Sequence, residues 1–251
     1  MLRAVLFDLG GTLIHLDRPS EDVFHASLQA MYGYLKQNGL QGDSEKFAKT
    51  YVTICEDADA RCSAYKVEIP EEDIVLRILR ELKFRVADRT VLQNAISAFH
   101  GPEIEACQVY PDTIQTLSGL KDEGFLMGMV SNSISDWTVH AKLEKFGLQR
   151  FFGVILSSEA LGIRKPRSEI FMRALKALEV GASEAVFVGD SLQSDVIGAR
   201  TVGIRSIYVR RKPTDPSDLT DPDATVTSLS EAFGRIIDWR NDLLKAGSPV
   251  D

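Results

Sequence analysis

Short apolar runs recur along this chain, each followed by a polar or glycine-containing turn and then by a stretch of helical period. The runs are Ala4-Val5-Leu6-Phe7, Phe125 to Val130, Val154-Ile155-Leu156, Ala185 to Val188 and Ile207-Tyr208-Val209, with Thr225-Val226 as a short edge strand. They are nearly continuous rather than alternating, the pattern expected of strands buried on both faces of a parallel sheet. Helix-period segments fall between them, at roughly 136–147, 167–179 and 194–202. A last helix starts after Ser228, where Ser228-Leu229-Ser230-Glu231 has the form of a capping box. This alternation predicts an α/β fold with a doubly wound, Rossmann-like parallel sheet.

Residues 16–106 break the rhythm, with four helix-period stretches and no convincing strand. Phe24, Leu28, Met31 and Leu35 form one apolar stripe; Phe47, Tyr51, Ile54 and Ala58 form a second. Ile74, Ile78 and Leu82 make a third, and Leu92, Ile96 and Phe99 a fourth. Apolar positions three and four apart share a helix face, so four such helices can bury their stripes together. The simplest account is an all-helical insertion over 16–106, with the α/β core built from 1–15 and 107–251. Its aromatic residues read as bundle core rather than a cofactor box. Residues 211–223, with Pro213, Pro216 and Pro222 among Asp, Ser and Thr, read as a loop.

Length and composition narrow the picture. A chain of 251 residues suffices for one large core, or for a core carrying a smaller inserted domain. Hydrophobic residues at 44% and charged residues at 26% place it among ordinary soluble globular proteins. The net charge of −7 argues against a nucleic-acid backbone as main partner. The dense basic run Arg210–Arg211–Lys212 leads into the proline-containing loop and reads as a solvated edge. Three cysteines, Cys55, Cys62 and Cys107, show no CxxC spacing, which fits a reducing compartment and supports neither a disulfide framework nor a zinc site. The N-terminal apolar run is interrupted by Asp8, so it reads as a strand and not a targeting segment. No apolar stretch reaches the roughly 18 residues of a membrane span. A cytoplasmic protein without membrane or nucleic-acid partners is expected; oligomeric state leaves no signal.

In open α/β sheets, ligands bind beyond the carboxyl ends of the strands. The first strand ends in Asp8-Leu9-Gly10-Gly11-Thr12-Leu13, and the second in Ser131-Asn132. Arg164-Lys165-Pro166 follows the third, opening a helix. The fourth ends in Gly189-Asp190-Ser191, with Asp195 five residues beyond Asp190. Taken singly, each element is an ordinary cap, turn or surface residue. Taken in order, they bring carboxylates, a hydroxyl and a lysine to one edge of the sheet.

These motifs, and the position of the helical insertion, resemble the haloacid dehalogenase superfamily of aspartate-nucleophile hydrolases with a helical cap after the first strand. The likeness runs from Asp8 to about Val209. It implies that Asp8 attacks phosphorus and forms an aspartyl-phosphate, which water then hydrolyses. It implies Mg²⁺ held by Asp8, Asp190 and the Gly10 backbone carbonyl. Ser131, Asn132 and Thr12 would hold phosphoryl oxygens, Lys165 would neutralise charge, and Asp195 would order metal waters or Lys165. A small phosphorylated metabolite is the implied substrate. The chemistry is coherent, because a carboxylate approaching a phosphate ester meets like charge that cations must offset. Magnesium takes hard oxygen ligands and keeps several waters.

One position departs from the family pattern. Phosphatases of this kind carry a second aspartate two residues after the nucleophile as general acid and base; here that residue is Gly10. General acid–base catalysis is worth about 10²–10⁴-fold. Three readings stay open. A phosphatase acts on good leaving groups or uses another donor, His15 and Asp17 being nearest in sequence, with His15 also reading as a hinge or packing residue. A related enzyme dispenses with the acid: a dehalogenase, though residues 36–42 lack the cap arginine, or a phosphonoacetaldehyde hydrolase, whose Schiff-base lysine would have to be Lys49. Or the protein binds phosphate or a partner without turnover.

Overall fold

The computed structural model describes residues 1–85, 88–211 and 220–246; Lys212, Pro213 and Pro216 lie outside them. Every apolar run of the pattern is a strand. β1 (Ala4–Phe7), β4 (Leu126–Ser131), β5 (Val154–Ser157), β6 (Ala185–Gly189), β7 (Arg205–Val209) and β8 (Ala224–Val226) form one sheet in the order β5-β4-β1-β6-β7-β8. All neighbours in it are parallel. The order reverses at β1, which lies between β4 and β6. That switch point opens the crevice in which doubly wound sheets bind ligands.

Side chains alternate between the two faces of the sheet, and each face has its own core. Val5, Phe7, Met127, Met129, Val186, Val188 and Ile207 pack with Leu117 and Leu120 of α5 (Thr113–Asp122), Leu143 of α6 (Asp136–Lys145) and Ile236 of α10 (Leu229–Ala246). Ala4, Leu6, Val130 and Phe187 pack on the opposite face with Phe171 and Leu175 of α8 (Ser168–Ala177) and Ala199 of α9 (Ile197–Thr201). Two cores are why the strands read as continuous apolar runs. A turn of π-helix, Leu192–Val196, precedes α9, where the pattern reads as one helix from 194. At the start of α10, Ser228 Oγ accepts from Glu231 N at 3.1 Å. The Glu231 carboxylate, however, reaches Thr227, not Ser228, so only one arm of the expected capping box forms.

The insertion consists of α1 (Ser20–Gln37), α2 (Ser44–Tyr65), α3 (Glu71–Glu81) and α4 (Arg89–Ala106). The four stripes share one core around Leu28, Met31, Phe47, Tyr51, Ile78 and Phe99. Phe24 lies at the edge of its stripe: it is 36% exposed, with its ring edge-on to Tyr51 and Phe99, while Val23 beside it is buried. Asp43 and Asp88 cap α2 and α4 by accepting from Lys46 N and Val91 N.

Two strands that the pattern does not reveal, β2 (Ile14–Leu16) and β3 (Cys107–Val109), pair antiparallel where the chain enters and leaves the bundle. A second tether joins the far side, where Val67 bridges Ile163 and Glu68 accepts from Ser158 Oγ at 2.5 Å. A short helix, α7 (Ser158–Leu161), separates β5 from the Lys165 segment. Among the described residues, no helix is long and apolar enough to cross a membrane.

Candidate active site

β1 and β6 deliver their last residues side by side, because Phe7 pairs with Val188 and Asp8 N donates to Val188 O at 3.0 Å. Asp8 and Asp190 therefore leave the sheet at the same level. Asp8, Asp190 and Asp195 offer carboxylate oxygens that all lie within 4.8 Å of one another. Lys165 reaches in from beyond β5 with Nζ 2.7 Å from Asp8 Oδ1 and 2.7 Å from Asp195 Oδ1. Asp8, Lys165 and Asp195 are all buried.

The backbone around this cluster is shaped to admit it. Gly11 sits at φ +77°, and a Cβ there would fall 2.0 Å from Asp190 Oδ2. Only glycine satisfies both the left-handed backbone and the close approach. At Gly189, likewise, a Cβ would fall 2.2 Å from Asp195 Oδ2. The Asp195 carboxylate also accepts from Ser191 N at 3.0 Å, so its position is fixed by the turn after β6.

Three carboxylates and one ammonium make an unbalanced set. Burial, then the charges of Asp8 and Asp195, push the Asp190 carboxyl up to about 7 against the pull of Lys165. Burial likewise pushes Asp195 up, opposed by Lys165. For Lys165 burial works against the charge, but Asp195 and Asp8 overcome it and raise its pKa. Hard carboxylate oxygens carrying more negative charge than the one ammonium offsets are a donor set that fits a divalent cation.

The remaining residues of the strand-end motifs take distinct places. Ser131, buried at the end of β4, lines the same cavity as Asp8 and Gly10. Thr12 is fully buried and donates from Oγ1 to Asp8 Oδ2 at 3.3 Å, so its hydroxyl is directed at the carboxylate rather than at open space. Asn132 lines the cavity, but its carboxamide is committed to the backbone of Lys165: Oδ1 accepts from Lys165 N at 2.8 Å and Nδ2 donates to Lys165 O at 3.1 Å. Thr12 thus bonds the Asp8 carboxylate and Asn132 the Lys165 backbone, contacts that the strand-end pattern does not reveal.

The cavity over Asp8 has a volume of about 420 Å³ and is roofed by Phe99, His100 and Glu103 of α4. Lys142 of α6 closes one side. A larger cavity of about 580 Å³ lies beside it between the bundle and α6, yet it contains none of the strand-end residues. The smaller one is the cavity that Asp8, Gly10, Ser131 and Asn132 line. His15 and Asp17 do not line it. His15 packs tilted against Tyr110 with ring centres 4.6 Å apart, and Asp17 pairs with Arg18, both beside the β2–β3 ribbon. Lys49 is exposed on α2 and also lies outside the lining.

Sequence reasoning missed His100, Glu103, Glu71 and Lys142. His100 Nε2 lies 2.6 Å from Glu71 Oε1 and its Nδ1 3.4 Å from Glu103 Oε2, while Lys142 Nζ donates to Glu103 Oε1 at 2.6 Å. Burial alone would lower the His100 pKa, but the hydrogen bonds and charges of Glu103 and Glu71 raise it to about 9. Burial opposes ionisation of Glu103, and the bonds and charges of His100 and Lys142 bring it down to about 2. The available signal was ionisable residues on otherwise apolar helix faces.

A family model described as haloacid dehalogenase-like hydrolase matches residues 2–203. The chain belongs to this family. Similar proteins include a glyceraldehyde 3-phosphate phosphatase of Methanocaldococcus jannaschii, 28% identical over 96% of this chain and 100% of that protein. A ribulose-1,5-bisphosphate 5-phosphatase of Halopiger xanaduensis is 30% identical over 88% of this chain and 89% of its own length. Among solved structures, a 2-haloacid dehalogenase from Pseudomonas syringae shares the fold with a TM-score of 0.70 at 24% identity, covering 95% of this chain and 100% of the other.

Proposed function

We propose that this hydrolase is a Mg²⁺-dependent phosphatase that releases phosphate from a small phosphorylated metabolite through an aspartyl-phosphate on Asp8. The observation that carries the reading is the buried Asp8–Lys165–Asp195 arrangement beside Asp190, opening onto a roofed cavity. A cavity of about 420 Å³ suits a small metabolite. The names of the relatives, phosphatases of glyceraldehyde 3-phosphate and ribulose-1,5-bisphosphate, point to the same size class. Residues 16–106 act as a cap that excludes water and selects the substrate, over a core of 1–15 and 107–251. Three unpaired cysteines support a cytoplasmic setting.

An oxygen of the Asp8 carboxylate attacks phosphorus in line with the leaving oxygen. Lys165 and Thr12 hold that carboxylate in one orientation, which converts an encounter into a positioned attack. Ser131 offers its hydroxyl to the phosphoryl oxygens, and Asn132 fixes the segment that carries Lys165. Asp8, Asp190 and the Gly10 carbonyl would hold Mg²⁺, with Asp195 behind them keeping Lys165 in place. When bound, Mg²⁺ supplies positive charge beside the transferring group. The metal-free dehalogenase reading gives no purpose to half-buried Asp190 and buried Asp195, and exposed Lys49 is poorly placed for a Schiff base.

The test is phosphate release from p-nitrophenyl phosphate with Mg²⁺ or EDTA, comparing wild type with Asp8→Asn. Release that requires both Mg²⁺ and Asp8 is the expected result. Tight binding of Mg²⁺ and phosphate with no release would favour a binding protein instead, the reading that Gly10 invites.

A further inference from the structure

We infer that His100, carried over the cavity by α4, is the proton donor and acceptor that stands in for the carboxylate absent at Gly10. The inference rests on the proposed attack by Asp8 and supplies the one part that reading lacks.

Three observations converge on this side chain. A Cβ at Gly10 would meet nothing within 4 Å, so the space an acid would occupy there is open. Gly10, Asp8 and His100 line that same space. The imidazole is also held from behind, since Glu71 of α3 grips Nε2 at 2.6 Å and both residues are at most 5% exposed. The contact of Nδ1 with Glu103 is long at 3.4 Å, leaving this nitrogen the one that can exchange its partner for a substrate oxygen or water. A carboxylate that orients one ring nitrogen while the other moves the proton is the usual arrangement of catalytic histidines.

The other ionisable groups around the imidazole do not serve. Glu103 is held ionised by His100 and Lys142 and has no proton to give. Lys142 of α6 is bonded to that carboxylate. Asp8, across the cavity, is the attacking group. His100, whose pKa is raised to about 9, carries a proton at neutral pH.

The step balances without any added reactant but water. As an Asp8 oxygen bonds to phosphorus and the ester P–O bond breaks, the imidazolium Nδ1 gives its proton to the departing oxygen, and the alcohol leaves neutral. The imidazole then takes a proton from the water that attacks the phosphorus of the aspartyl-phosphate. The bond between Asp8 and phosphorus breaks, and inorganic phosphate, the free carboxylate and the imidazolium are restored.

The experiment compares p-nitrophenyl phosphate, whose leaving group needs little protonation, with glycerol phosphate, whose alkoxide needs a proton. The proteins are wild type, His100→Gln, Gly10→Asp and the double variant, each checked for folding by circular dichroism. His100→Gln is expected to lower turnover of glycerol phosphate by about 10²–10⁴-fold, and turnover of the aryl ester by a far smaller factor. Gly10→Asp is expected to restore the alkyl activity in the double variant. Equal losses on both substrates, or no rescue by Gly10→Asp, would overturn the assignment. Glu71→Gln keeps the imidazole and should move the basic limb of the alkyl kcat/KM–pH profile to lower pH; an unmoved limb would overturn it too. Wild type that cleaves only the aryl ester sinks His100 but spares the phosphatase reading, whereas wild type inert toward both sinks that reading itself.

Discussion

Lys165→Met removes the only cation in contact with the Asp8–Asp195 pair among the described residues. Lys165 is 3% exposed, and its ammonium lies 2.7 Å from a carboxylate oxygen on each side. At an effective dielectric near 20, one such contact corresponds to roughly 6 kcal/mol of Coulomb attraction. Much of that is offset by the desolvation of the lysine, so the measured cost of breaking a buried pair is about 3–5 kcal/mol. Methionine matches the lysine stem in size, which keeps a cavity term out of the comparison. For a domain of this length, about 2–4 °C is lost per kcal/mol, giving a fall in Tm of roughly 6–20 °C in EDTA. At the proposed metal site, saturating Mg²⁺ should return part of the loss, more for the variant than for wild type. Thermal unfolding of both proteins in EDTA and in Mg²⁺ measures all four values. A variant as stable as wild type in EDTA would refute the picture of a lysine holding like charges together.

Further outcomes follow from the glycines and from His100. Gly11→Ala imposes a left-handed backbone on a residue with a Cβ, costing about 1–2 kcal/mol, and drives that atom into Asp190. Mg²⁺ affinity measured by calorimetry should fall; unchanged affinity would separate Asp190 from the metal. The His100 pKa is near 9 in the folded protein against about 6.5 unfolded. Its stabilising contribution, on the order of 3 kcal/mol, is therefore full below about pH 6.5 and lost as pH rises through about 9. Urea unfolding of wild type and His100→Gln should show a stability gap that narrows from pH 6 to pH 10; a gap that widens would contradict the pairing with Glu71 and Glu103. Phe171→Ala, which empties a fully buried ring contact with Phe187, should cost about 3–5 kcal/mol in the same measurement.

Much of this architecture is written locally in the chain. The inner strands β1, β4, β6 and β7 are buried on both sides, so their apolar runs are continuous and visible. The residues that follow these strands meet because parallel strands end at one edge, which is why Asp8, Ser131, Lys165, Asp190 and Asp195 could be grouped before any coordinates. The helix α5 escaped notice because its buried face includes Thr113 and Thr116, while Ile114 is exposed and Gly119 packs against Phe233. The β2–β3 ribbon is three residues long on each side, too short for periodicity to register, and its partners lie about a hundred residues apart. The directions of Thr12 and Asn132 depend on hydrogen bonds to Asp8 and Lys165 that spacing does not encode. The roof of the site was least legible. Glu71 and His100 are 29 positions apart on different helices, and only the packing of α3 on α4 and α4 on α6 brings them to Lys142 and the cavity.

The central claim is that Asp8 carries the phosphoryl group during turnover. Its most direct test is to quench the enzyme during steady-state hydrolysis of p-nitrophenyl phosphate, treat it with borohydride, and map the digest by mass spectrometry. An acyl phosphate on Asp8 would be reduced to the alcohol, so the peptide containing Phe7-Asp8-Leu9 should lose one oxygen and gain two hydrogens, only when substrate and Mg²⁺ are present. Active turnover with that peptide unmodified, or the change found at Asp190 or Asp195 instead, would contradict the account.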